Sequence, residues 1–160
     1  QHQDGDQGRL TEMGIFGAID AAASGMTAER LRLDVISNNI ANVNTTRTTE
    51  GGPYQRQFVV FEPRPSSGEF AKLMSRQMQL NGVQLNGVKV TGIRKDDSPP
   101  RMIYEPGHPD ADANGYVKMP NINIITEMVD MMTASRAYEA NVTAVNVAKS
   151  MMLKALEIGK

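Results

Sequence analysis

The chain contains no cysteine and no tryptophan, and aromatic residues make up only 5% of its 160 residues. Without cysteine there are no disulfides, no thiolate zinc site and no cysteine nucleophile, and the chain would tolerate an oxidising space well. The scarcity of aromatics makes the expected core aliphatic, with eleven methionines as adaptable packing surface. Net charge is −1, which removes the electrostatic footprint of a protein that binds nucleic acid or an anionic membrane. No apolar run reaches membrane-spanning length, so no membrane insertion is expected, and no basic-then-apolar segment has the form of a cleavable signal peptide. No P-loop, GxGxxG or GxSxG pattern occurs. No group of side chains supplies nucleophile, base and oxyanion donor together. The sequence therefore reads as a non-enzyme, with no catalytic residues, cofactor, metal or small-molecule substrate.

What the chain does have is helical periodicity at both ends. Alternate steps of four and three residues from Ile124 meet Met128, Met131, Ser135, Tyr138, Val142, Val145, Lys149, Met152 and Leu156, a stripe suited to lying along a partner helix. Beside it runs a row of small residues, Ala134, Ala137, Asn141, Ala144 and Ala148. The same walk from Ile15 meets Ile19, Ala22, Met26, Glu29, Leu33, Ile36 and Ile40, with Ala18, Ala21, Gly25 and Ala28 alongside. Two such helices at opposite ends of a chain most simply pair with each other, as an antiparallel coiled coil. Each keeps a second apolar flank that a two-helix hairpin does not bury, and other molecules must cover it. The chain is expected to self-associate or co-assemble.

The remaining segments are less regular. Residues 1–12 are polar and aperiodic, and read as a disordered extension or cloning remnant. The first helix, 13–45, ends in an asparagine-rich stretch, where Asn42 to Thr45 suit a helix terminus and the amides of Asn38 and Asn39 suit bonds to a neighbouring chain. Residues 46–121 form a small β-rich middle domain, and 122–160 the C-terminal helix. Within the middle, Gln55–Phe61, Val88–Val90, Arg101–Tyr104 and Tyr116–Met119 read as strands. Phe70, Leu73, Met74 and Met78 suggest a short amphipathic helix, and the tandem Gln79–Val83 and Gln84–Val88 repeat reads as a surface loop with two Asn-Gly turns. The fold class is α+β. Asp110, Asp112, Asn114 and Gly115 match the opening of a calcium loop, but Asn121 stands where a bidentate Glu is required and no helix precedes the loop. An Asx-rich turn entering a strand is the expected structure. His108 has no metal-spacing partner and reads as structural.

Several stretches resemble the flagellar rod, hook and basal-body family. The shared N-terminal motif is similar to Val35–Thr45. Gly52-Pro53-Tyr54, Tyr104–Pro109 with Ala111–Asn121, and Ser135–Asn141 leading to Lys149–Lys154 are similar to its rod subunits, those of the proximal rod above all. The likeness covers nearly all of residues 13–160; residues 1–12 lie outside it, and 70–85 look longer than it needs. It implies a structural, non-enzymatic subunit of the basal-body rod, exported by the flagellar type III apparatus and located in the periplasmic space. Its partners would be copies of itself, other rod proteins and the export apparatus, and torque would pass through packed terminal helices. The expected assembly interface comprises Met26, Leu33, Ile36, Asn38, Asn39, Ile40, Asn42, Met128, Tyr138, Val142, Val145, Met152 and Leu156. The rival readings are a calcium-binding module and a cytoplasmic coiled-coil adaptor.

Overall fold

The computed structural model describes residues 4–64 and 87–159. Helix α1 spans Asp4–Ala41 and helix α2 spans Ile124–Ile158, each more than about 50 Å long at 1.5 Å per residue. Between them lie β1 (Gln57–Pro63), β2 (Val88–Lys95), β3 (Arg101–Tyr104) and β4 (Tyr116–Met119), with β1 paired to β2 and β3 to β4. The fold is α+β with long terminal helices, as expected. Helix α1 begins before the expected start at Met13. Gln7, Arg9, Leu10 and Glu12 are good helix formers, and extending an existing helix is far easier than nucleating one. The expected helix around Phe70 and most of the tandem repeat lie outside the described residues.

Helix ends are closed by asparagine. At the end of α1, Asn42 Nδ2 donates to the Asn38 carbonyl at 2.9 Å and the Asn42 N–H donates to the same oxygen at 3.1 Å. An orphan carbonyl of the last turn is thereby satisfied. At the start of α2, Asn123 Oδ1 accepts the N–H of Ile125 at 3.0 Å, a side-chain N-cap. The helix starts just after this residue, at Ile124, where the apolar periodicity begins.

Two compact units divide the chain, each taking part of both helices and part of the middle. In the unit formed by Gln1–Ala28, Phe61–Val90 and Ala137–Lys160, small residues set the packing. Ala22 and Ala148 are buried. A Cβ on Gly25 would stand 2.8 Å from Asn141 Nδ2, so α1 and α2 approach closely there. Gly87, the last glycine of the tandem repeat, lies against α1, where a Cβ would meet Ser24 Oγ at 2.6 Å. Ser24 accepts the Val88 N–H at 3.0 Å and donates to the Ala21 carbonyl at 2.7 Å. This glycine is buried packing and not part of a surface loop.

The unit formed by Glu29–Val60 and Thr91–Arg136 holds Val35, Ile36, Val117, Met119, Ile122 and Ala134 in its core. Arg32 and Asn39 of α1 contact Asp130 and Glu127 of α2 respectively, so the helices run antiparallel. The β3–β4 hairpin aligns Arg101 with Met119 and Tyr104 with Tyr116. This alternation turns Val117 and Met119 inward and stacks Tyr104 edge-on to Tyr116 outside, ring centroids 5.3 Å apart. The connecting loop closes on Asp112, whose Oδ1 accepts the N–H groups of Asn114 and Tyr116, both at 2.9 Å. Gly115 follows with φ +83°, a left-handed conformation that disfavours any Cβ.

A Cβ at Gly115 would also meet Tyr104 Cε2 at 2.9 Å. Gly115→Ala is expected to lower stability by about 1–3 kcal/mol in urea titration. Gly92→Ala, with open space around the position, is expected to stay within about 0.5 kcal/mol of the parent.

Candidate assembly interface

The second unit is organised around a polar cluster that sequence periodicity does not announce. Glu127, in the first turn of α2, is 1% exposed, and Asn39 of α1 is 0% exposed. Asn39 Nδ2 donates to Glu127 Oε2 at 3.1 Å and to the Gln57 carbonyl at 2.8 Å. Its Oδ1 accepts the Gln57 N–H at 2.9 Å and the Tyr54 hydroxyl at 3.1 Å. One amide therefore uses both donors and both acceptor sites, and it pairs with the backbone of Gln57 as a neighbouring strand would. Arg56 closes the cluster by donating from Nε to the other oxygen of Glu127.

Arg56 is also a charge hub. Its guanidinium lies 3.7 Å from Asp130 and 3.9 Å from Asp96, and Arg32 reaches Asp130 at 3.9 Å. Beside it is an open cavity of about 450 Å³ whose lining includes Glu50, Tyr54, Arg56, Lys95, Asp96 and Lys118. Burial first, and the negative charge of Glu127 second, raise the Tyr54 hydroxyl above its ordinary value, with Lys95 opposing. Hydrogen bonds from the Ser98 side chain and backbone hold Asp96 below the usual carboxylate range. Lys95 lowers Glu50 in the same way, by hydrogen bond and charge. The lining mixes charged, polar and apolar side chains.

The structure separates the expected interface residues into three groups. Asn39 and Ile36 are buried inside the chain, so Asn39 bonds its own middle segment and not a neighbour. Asn42 uses its amide on the end of α1, while Asn38 is exposed. Met26, Leu33, Ile40, Tyr138, Val142, Val145 and Met152 are half-buried. Met128 and Leu156 are 53% and 58% exposed. Apart from Glu127, the buried positions of α2 belong to the small-residue row: Ala134 is 0% and Ala148 8% exposed. Small side chains permit the close approach, and the large ones are left at the margins. A further apolar row, Ile125, Val129 and Met132 beside Met128, is exposed in the second unit, and Val147, Met151, Leu153 and Ile158 are exposed in the first.

The calcium alternative fails on geometry. Thr46 Oγ1 donates to one oxygen of Asp110 at 2.7 Å and Arg47 pairs with the other at 2.9 Å. The loop's own backbone occupies Asp112 Oδ1. The Asp110 N–H donates to His108 Nδ1 at 3.0 Å, which gives that histidine a local structural role. Among the described residues, no cluster of His, Asp and Glu is placed to hold a metal ion, and no helix is long and apolar enough to cross a membrane.

Helices that close on small residues and leave large apolar rows uncovered define a protein built to assemble. Known proteins agree. Residues 19–47 match the family described as Flagella basal body rod protein, and 113–158 match Flagellar basal body rod FlgEFG protein C-terminal. The chain is 51% identical over 150 residues to the flagellar basal-body rod protein FlgC of Borreliella burgdorferi, covering 91% of this chain and 98% of that one. It is 45% identical to FlgC of Bacillus subtilis and 39% to that of Salmonella typhimurium, each with 92% of this chain and 100% of the relative covered. The chain belongs to the FlgC family of flagellar basal-body rod proteins.

Removing Glu127 leaves the buried Asn39 donor without its acceptor, while Arg56 keeps Asp130 and Asp96 nearby. Glu127→Ala is expected to cost about 1–3 kcal/mol in urea titration, and Glu127→Gln, which keeps an acceptor for Asn39, distinctly less. The raised Tyr54 value means the folded chain holds that proton after the unfolded chain has released it. Stability should therefore fall as pH rises above the ordinary tyrosine value of 10.0. Tyr54→Phe should show a shallower decline over the same alkaline range.

Proposed function

We infer that the chain is a structural, non-catalytic subunit of the flagellar basal-body rod, within the proximal part. It is exported through the flagellar type III apparatus and takes its place in the rod in the periplasmic space. There it packs against copies of itself and other rod proteins. Its terminal helices form the axial core and its β-rich middle lies outside that core. The observation that carries this reading is the uncovered row Ile125, Met128, Val129 and Met132 on the outer face of α2, in a chain whose likeness to rod proteins spans nearly its whole length. An apolar helix face of this kind is costly in water and is relieved by burial against neighbours. Packing on several neighbours resists shear, as transmission of torque requires. The absence of cysteine suits assembly in an oxidising compartment.

Deleting the gene in the source bacterium and imaging its basal bodies tests the reading. Loss of rod, hook and filament, restored by a plasmid copy, is expected. Intact flagella would return the cytoplasmic adaptor reading. At residue level, Met128→Asp tests the exposed face directly. At so exposed a site, Met128→Asp should alter monomer stability by no more than about 0.5 kcal/mol. Export should continue while incorporation into basal bodies fails; normal incorporation would remove this face from the interface.

A further inference from the structure

Ala18, Gly25, Arg32 and Asn39 recur at heptad spacing in α1, and Glu127, Ala134, Asn141 and Ala148 do so in α2. Residues at one heptad position face the same side of a paired helix. Two separate contacts join these rows: Gly25 against Asn141 in one unit, and Asn39 bonded to Glu127 in the other. Four of these eight residues are alanine or glycine, and the atoms nearest Gly25 belong to the flexible end of the Asn141 side chain, so close packing alone opposes a slide of seven residues only weakly. Charge does not choose either. A one-heptad slide would carry Arg32 opposite Glu127 and offer that carboxylate a new ion pair.

Asn39 does not survive the slide. Three of its four hydrogen bonds go to Tyr54 and Gln57, and the intervening Arg56 binds Glu127. Asn39, the 54–57 segment and Glu127 thus close a ring through three parts of the chain. Moving either helix opens the ring at the Asn39–Glu127 bond and leaves buried polar groups without partners. A single polar residue at a buried helix position sets register in coiled coils by the same physics. We propose that the Asn39–Glu127 pair, closed on Tyr54–Gln57, selects the register of α1 on α2. The proposal concerns the chain's own fold and does not depend on its role in a rod.

The cysteine-free sequence permits a direct test. Spin labels at Asp34→Cys and Thr133→Cys, both exposed and in the same unit, report the position of one helix along the other by pulsed electron paramagnetic resonance. The otherwise unaltered chain should give one distance. Asn39→Leu combined with Glu127→Leu should keep the helical circular dichroism and add a second population, displaced by one heptad, about 10 Å along the helix. Glu127→Gln should keep the single parent distance. A single parent distance in the folded double-leucine variant would overturn the proposal. If that variant loses its helical signal, Asn39→Asp takes its place, because it keeps the size and sets an oxygen where the amide donates. A second population then supports the proposal, and the single parent distance overturns it.

Discussion

A carboxylate removed from water must be compensated or it destabilises the fold by several kcal/mol. Glu127 meets that demand with Arg56 on one oxygen and Asn39 on the other. Much of the second unit follows from this requirement. Arg56 reaches Glu127 only if the 54–57 segment lies against both helices, and Asn39 holds it there by bonding the N–H and carbonyl of Gln57. Strand β1 starts at that residue. The strand is therefore launched from a position that the helices dictate, and a polar contact couples the middle of the chain to its ends.

Around the cluster, side-chain size decides what faces inward. Alanine and glycine line the closest contacts, so the helix axes approach and larger residues are displaced to the margins. Met128, Val129, Met132 and Leu156 are left in water as a result. A monomer with this arrangement leaves in water apolar area that would otherwise stabilise a self-contained core. This agrees with membership of a rod-protein family, where the working state is an assembly.

The 105–116 loop shows how little separates a cation site from a structural turn. Asp110 and Asp112 occupy the first and third positions of a calcium-loop pattern, yet three of their four oxygens are taken by Thr46, Arg47 and backbone N–H groups. The carboxylates tie the loop to the segment after α1 and shape the turn that Gly115 completes. Missing the bidentate ligand at the twelfth position, the pattern serves local geometry.

The amino-acid pattern by itself determined the two long helices, their antiparallel partnership, the strands near Phe58, Val90, Ile103 and Val117, and the surplus of apolar surface. Periods of 3.5 and 2 residues are local consequences of backbone geometry and need no tertiary information. The Asx turn at Asp112 was legible for the same reason, because it bonds its own neighbours. Tertiary structure alone decided which helix face closes the monomer, and it chose the small-residue row over the large apolar stripe. It alone moved Asn39 from an expected contact with another chain to the interior, and it brought Tyr54, Arg56 and Gln57 to Glu127. Glu127 stands seven residues before Ala134, yet nothing local marks a charged side chain there as buried. Its partners were not visible, because a hydrogen bond across 88 residues depends on where two distant segments meet, and no local periodicity encodes that.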